Sequence, residues 1–269
     1  MSPLSPHLPS RFPRLAFLFS PIIRPQCLVC HRPLRAVFPV TPTICVRCIP
    51  RQTLAVDPEA HCSRCGLSAI EPACEKCTIF PLPFSSVRAS FHYRGNIRDL
   101  VRAMKFTPSK KLAQVIAHHL RDTIIAESSR PEWDGVVAIP SGRQSSRKRL
   151  FTPAAVAAHT IAEALSIPYL RDGLVSTHTR PPQASILLTT HRFQNSRQAF
   201  MAKAQRISGK KILLIDDVIT TGATIGAGVR ELLDAGAASV DVRAFAIADR
   251  YERTRRELYA FFQRREHNR

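Results

Sequence analysis

The spacing of apolar and polar positions changes near residue 84 and divides the chain in two. Beyond Pro81 and Pro83, strand-like and helix-like periods take turns. "VRASFHYRG" reads as a strand running into a turn, and "GVVAIP" as a short buried strand. "IRDLVRAMKF", "KLAQVIAHHLRDTIIAE" and "AAVAAHTIAEAL" carry apolar residues at helical spacing. "KKILLID" and "VDVRAFAIAD" predict two further strands around a helix over 224–235, with Gly236 as its C′ residue. Strands alternating with helices predict an α/β unit over 84–250, a parallel sheet flanked by helices. Ligands of such sheets sit beyond the carboxyl ends of the strands.

One of those ends reads "DDVITTGAT", from Asp216 to Thr224. Two adjacent carboxylates at the end of a buried strand cost free energy unless something there uses them. The helix N-terminus that follows offers free backbone N–H groups and the positive end of the macrodipole to an anion. Gly222 lets the loop bend closely around that anion, and Thr220, Thr221 and Thr224 add hydroxyl donors. Asp216 and Asp217 lie one ribose-length away, where they can accept from a vicinal diol or help hold a hydrated Mg²⁺. A ribose carrying a 5-phosphate satisfies both halves. The chain has no G-x-x-x-x-G-K-[ST], and "GATIGAG" is not a G-x-G-x-x-G following a strand. An acidic cap on an ordinary βα loop is the plain alternative, but two acids and three threonines exceed what a cap needs.

Before residue 80 the texture is set by cysteine. All eight occur as C-x-x-C pairs: Cys27 with Cys30, Cys45 with Cys48, Cys62 with Cys65, and Cys74 with Cys77. Such a turn places two thiolates on one side of a tight knuckle, and two knuckles complete a tetrahedral S₄ site. Four knuckles predict a small double zinc ribbon over 25–80 holding two structural Zn²⁺ ions. Consecutive pairing closes the shortest loops, with a crossed pairing as the alternative. A disulfide framework fits the count but not the regular knuckles. "CLVCH" also satisfies the c-type haem pattern, yet the other three knuckles lack the histidine, and His31 falls where a ribbon knuckle turns. Closed Cys₄ sites leave no open catalytic position. They either fold a stretch too short to bury its own core, or present Arg32, Arg35, Arg47, Arg51 and Arg64 to nucleic acid or a protein.

Composition adds a partner class. The chain has 269 residues, 45% of them hydrophobic, and a formal net charge of +19. That balance attracts polyanions or phosphorylated ligands, although a merely basic surface gives the same number. No apolar run approaches the roughly 18 residues of a membrane span. Residues 1–24 read as a Pro-rich, poorly ordered leader, because Ser20 and Pro21 break its apolar patch and no small-x-small site follows. With the cysteines, this predicts a cytoplasmic protein. His118, His119 and Trp133 take ordinary surface or packing readings. Residues 251–269 read as a basic helix or tail, docked on the domain or contacting a partner.

"ILLIDDVITTGAT" resembles the phosphoribosyl-pyrophosphate (PRPP) signature of type I phosphoribosyltransferases. From about Cys27 to Asp249 the chain is similar to the ComF/GntX family, which joins a double zinc ribbon to such a domain. The knuckles stand in family order, and "FHYRGNIRDLVRAMKF" is similar to the family's helix ending in Lys-Phe, here Lys105 and Phe106. "RPPQASILLTTHRFQNSRQAF" keeps Pro181, Pro182, Gln183, Arg192 and Asn195 of another family stretch, with Arg180 where Thr is usual.

The resemblance implies a type I fold in which Asp216 and Asp217 serve as the catalytic pair that binds the ribose hydroxyls. Val218 and the run Thr220, Thr221, Gly222, Ala223 and Thr224 take the 5-phosphate, and Ser141, Gly142 and Arg143 cradle pyrophosphate. A flexible hood would include Gln183, Arg192 and Asn195, with Lys105 grouped beside it. The implied chemistry is displacement of Mg²⁺-bound pyrophosphate from C1 of PRPP by a nitrogen nucleophile, in a nucleotide-related or DNA-uptake role. Arg143, Arg147, Lys148 and Arg149 would face the leaving group, unless "RQSSRKR" is only a solvated basic loop. The alternative is a non-catalytic PRPP or nucleotide sensor that binds single-stranded DNA or a DNA-handling partner. Where the family shows R-x-R-G-F-N-Q, this chain has Leu150, Thr152 and Pro153 in place of Gly, Asn and Gln, which puts turnover in more doubt than binding.

Overall fold

The computed structural model describes residues 25–34, 43–50, 56, 61–62, 84–106, 109–127, 132–140, 151–177, 199–220 and 222–248. The leader, most of the second ribbon and the tail lie outside these. So do Ser141, Gly142, Arg143, Arg147, Lys148, Arg149, Leu150, Gln183, Arg192, Asn195 and Thr221.

The first strand, β1 (Ser86–His92), turns at Gly95 into α1 (Gly95–Phe106), and α2 (Lys110–Ile125) follows. Next come β2 (Gly135–Ala138), α3 (Pro153–Leu165), β3 (Leu174–Ser176), β4 (Phe200–Ala202) and the single turn α4 (Ala204–Ile207). The chain closes with β5 (Lys211–Ile219), α5 (Ala223–Asp234) and β6 (Ser239–Ile247). The strands β1, β6, β5 and β2 form one parallel sheet in that order, while β3 and β4 pair antiparallel. The predicted parallel α/β architecture is therefore present. No helix among the described residues is long and apolar enough to cross a membrane.

The apolar periods explain the layers. Ile97, Leu100, Val101 and Met104 make one face of α1, and Leu112, Ala113, Ile116, Leu120 and Ile124 make one face of α2. On one side of the sheet, Leu213 and Ile215 of β5 pack with Leu120, Ile124, Ala157 and Ile161 from α2 and α3. On the other, Ile212 and Leu214 pack with Ile225, Val229 and Leu232 of α5. Gly228 permits the close approach of α5, since a Cβ there would lie 2.8 Å from Ile139 Cδ1.

Polar groups are buried toward the amino-terminal half of the strands, away from the predicted site. The Trp133 indole N–H donates to Asp241 Oδ2 at 3.0 Å, and the Ser86 hydroxyl donates to the other oxygen of Asp241. Arg243 forms a bidentate pair with Glu127, both bonds 2.8 Å, and lies over the Trp133 ring. These groups satisfy one another, so the network reads as a structural lock on this half of the sheet.

The ribbons are not a separate bead. Cys27, Leu34, Ile44 and Cys48 share a core with Ile97, Leu100, Val101 and Met104 of α1. Cys62 belongs to the core on the α5 side, with Phe84 and Val87, and the Val56 N–H donates to the Ser90 carbonyl at 3.0 Å.

Candidate functional site

The acid pair lies inside β5 rather than at its end. "KKILLID" predicts a strand that stops there, but β5 continues to Ile219 because β6 keeps pairing with it as far as Ile247. On its other edge the neighbour ends sooner. Ala138 of β2 pairs with Ile215, and the Ile139 N–H donates to the Ile215 carbonyl at 2.9 Å. Beyond that point β5 has a strand on one side only, which opens a crevice at the carboxyl end of the sheet. Pro140, the last described residue before the proposed pyrophosphate loop, is therefore beside the acids.

Side chains take over some of the work of the missing neighbour. Asp216 Oδ1 accepts from the Asp217 N–H at 2.8 Å, and Asp217 Oδ1 accepts from the Val218 N–H at 2.9 Å. Asp216 is 8% exposed, and burial raises its pKa well above the ordinary carboxylate range, helped by the adjacent Asp217 charge. Asp217 is more open and pairs with Lys105 Nζ, 3.1 Å from its Oδ2. Burial disfavours charge on Lys105, but Asp217 and the more distant Asp216 prevail and raise its pKa. Two carboxyls and one ammonium thus meet at the open edge, a set that can accept from a diol without stacking two bare negative charges.

The turn after β5 suits an anion. Thr220 and Thr224 are exposed, and Gly222 has a left-handed backbone, φ 78°, that leads straight into α5. Gly222 is the N-cap and has no side chain to cap the first turn, which also contains no acidic residue. Helix α5 begins at Ala223, one residue earlier than its pattern predicts, so Ala223 and Thr224 both belong to its amino-terminal turn.

Of the predicted set, the structure brings together Asp216, Asp217, Val218, Thr220, Gly222, Ala223 and Thr224. Lys105, grouped with a flexible hood in the sequence, belongs to the last turn of α1, and its pairing with Asp217 was not foreseen. Its helical spacing was visible; the partner across the fold was not. Thr152 and Pro153, which replace two family amides, start α3: the Thr152 hydroxyl accepts from the Ala155 N–H at 3.2 Å, and Pro153 fills the first turn. A cleft of about 1290 Å³ runs between α2 and α3 from Pro140 to Ser176. It lies beside the acid pair rather than on it, and its walls mix His118, Arg121 and Arg171 with Glu163 and Asp172.

The first two knuckles converge as consecutive pairing predicts. The sulfurs of Cys27, Cys30, Cys45 and Cys48 all lie within 4.8 Å of one another, and Cys30 and Cys45 are 3.7 Å apart. An S₄ tetrahedron with Zn–S bonds of about 2.3 Å has edges of about 3.8 Å, so the cluster fits zinc. Burial works against a Cys27 thiolate, but N–H groups of Cys30, Cys45 and Val29 bring its pKa down to about 7. Burial and the neighbouring sulfurs push Cys48 the other way, a conflict that a divalent cation among the four would relieve. His31 takes the left-handed turn position expected of it, φ 57°. Of the second set only Cys62 lies within the described residues, and Cys65, Cys74 and Cys77 fall outside them.

Residues 154–266 match the phosphoribosyl transferase domain family. The DNA utilization protein YhgH of Salmonella typhi is 27% identical over 222 residues, 80% of this chain and 94% of that protein. The competence protein ComFC of Streptococcus pneumoniae is 27% identical over 231 residues, 82% of this chain and 99% of its own. The chain is thus similar to ComF-family proteins over most of its length and carries a phosphoribosyltransferase-type domain. Among solved structures it is similar to the glutamine PRPP amidotransferase of B. subtilis, at 28% identity and TM-score 0.34, covering 48% of this chain and 26% of that one. It is also similar to the adenine phosphoribosyl transferase of Trypanosoma brucei, at 16% identity and TM-score 0.39, covering 60% of this chain and 62% of that enzyme. The acid pair and the α5 turn both fall inside the matched domain.

Proposed function

We propose that this chain binds PRPP together with Mg²⁺ at the β5–α5 junction and transfers its phosphoribosyl group to a nitrogen acceptor. The observation that carries this reading is the placement of Asp216 and Asp217 at the unpaired edge of β5, six and five residues before Gly222, the N-cap of a helix with no side-chain cap. Asp216 and Asp217 accept from the ribose 2- and 3-hydroxyls. The amides of the α5 turn, with Thr220, Thr221 and Thr224, take the 5-phosphate. Lys105, paired with Asp217, holds that side chain in place. In the transfer, the acceptor nitrogen bonds to C1 as the C1–O bond to pyrophosphate breaks, and the acceptor's proton passes to solvent. Charge developing on the ribose ring is stabilised by the nearby carboxylates. Mg²⁺, held through the pyrophosphate and these acids, would neutralise the leaving group.

Titration calorimetry with Mg–PRPP tests the reading. The wild type is expected to bind, and the Asp216→Asn/Asp217→Asn double variant to lose at least about a hundredfold in affinity while keeping its circular dichroism. Equal affinity in both proteins would reject the site.

A second reading, a non-catalytic module that engages single-stranded DNA or a DNA-handling partner, is favoured by a different feature. Arg94, just before α1, and Arg98 and Arg102 on its exposed face recur every fourth residue, and the first ribbon presents exposed Arg47 and Val46. Pyrophosphate release with a panel of nitrogenous bases supports transfer. Salt-dependent DNA binding without pyrophosphate release supports the module.

A further inference from the structure

Helix α1 is an unusual strut. It leaves the carboxyl end of β1 yet reaches β5, two strands away across β6, so it runs over the sheet rather than back along its own strand. Near its start, Asn96 Nδ2 donates to the Ile49 carbonyl at 2.6 Å, immediately after the fourth cysteine of the first cluster. Along its length, Ile97, Leu100, Val101 and Met104 pack in one core with Cys27, Cys48, Leu34 and Ile44. At its end, Lys105 meets Asp217. Both partners of that ion pair are covalently flanked by members of the same core: Met104 precedes Lys105, and Val218 follows Asp217.

We infer that the first cysteine ribbon, through Asn96 and the buried face of α1, positions Lys105 on Asp217 and thereby sets the affinity of the acid pair for its phosphoribosyl ligand. Asn96 and the ribbon are positioning elements, remote from the ligand. The affinity clause rests on the PRPP reading above; the placement of Lys105 does not.

The physical ground is that an ion pair with a 40% exposed lysine and a 16% exposed aspartate does not hold itself. An open lysine gains little from one carboxylate and gives up side-chain entropy to stay there. The backbone that presents it must be fixed, and α1 is fixed from two sides. Phe91, Phe245 and Ala246 of the sheet support one, and the ribbon supports the other. Loosening the ribbon side frees the last turn of α1. Asp216 and Asp217 then face each other without the ammonium, and Asp217 loses the contact that fixes its carboxylate for a diol.

The test uses the full-length, zinc-loaded chain and its Asn96→Ala variant, with zinc content measured in both. Lys105 acetylation by acetic anhydride is followed by peptide mass spectrometry, with exposed Lys110 and Lys111 as internal standards and Asp217→Asn as the positive control. Mg–PRPP affinity is measured in parallel. The expected result is Lys105 acetylated several-fold faster in Asn96→Ala, the standards unchanged, and affinity weakened about fivefold, the scale of one lost hydrogen bond. Unchanged Lys105 reactivity overturns the inference, since α1 is then held by the sheet alone. Faster acetylation with unchanged affinity in a wild type that binds also overturns it. A wild type that binds no PRPP rejects the proposed function, and Lys105 reactivity still decides whether the ribbon positions that lysine.

Discussion

Asp216 is a residue that folding penalises. Burial and the neighbouring Asp217 charge raise its pKa, and the Asp217 N–H and Lys105 offset this only in part. In the pH window between its ordinary and raised values, the folded chain keeps a proton that the unfolded chain has lost. The unfolded state therefore binds fewer protons there, and stability falls as pH climbs through the window. Asp216→Asn keeps the shape and removes the charge. It should raise the melting temperature at neutral pH by a few degrees, roughly the effect of 1 kcal/mol in a domain of this size, and flatten the decline above about pH 4. Thermal scans between about pH 4 and 8 check it; a variant no more stable than wild type at neutral pH speaks against a shifted Asp216. Lys105 has the same pH direction at a higher window, but its folded-state charge is favoured rather than penalised. Its raised pKa gives stability that is present below the ordinary lysine value and is lost only as pH rises through the folded value.

The elements were legible wherever one period governed them. Apolar residues at helical spacing marked α1, α2 and α3, and the run around Val136 marked β2. The far end of β5 was not legible, because two aspartates interrupt its apolar pattern while its continuation depends on β6, a partner that only the fold supplies. Thr152 and Pro153 looked like lost ligand contacts in comparison with a family pattern. A Ser/Thr followed by Pro before an apolar period is also a helix start, and that is the use made of them here. Gly222 tests the turn that both views share. Its φ of 78° disfavours any side chain, and Gly222→Ala is expected to cost about 1–2 kcal/mol of stability. It should also weaken Mg–PRPP binding about tenfold by shifting the α5 amides. Urea titration alongside calorimetry checks both, and full stability with full affinity would mean that the turn adjusts freely.

At the scale of the molecule, the cysteine knuckles promised metal but gave no sign of where the ribbon rests. Among its described residues few are buried, and those join cores shared with the sheet domain: Cys27 and Cys48 join α1 on one side, and Cys62 joins Phe84 and Val87 on the other. Two units sharing buried surface should unfold together. A structural zinc site can supply about 10 kcal/mol or more to the fold that holds it, so its loss is felt wherever that core extends. Trp133, the single tryptophan, is buried toward the opposite half of the sheet with its indole on Asp241, and so reports on the sheet rather than the ribbon. Heating the zinc-loaded chain should give one transition by Trp133 fluorescence and by zinc release to a colorimetric chelator. Prior treatment with a strong chelator should lower the fluorescence midpoint by more than about 5 °C, beyond the roughly 2–4 °C that a 1 kcal/mol perturbation shifts in a domain this large. A fluorescence midpoint that ignores chelation would mean that the sheet stands without its ribbon, and the strut through α1 would lose its anchor.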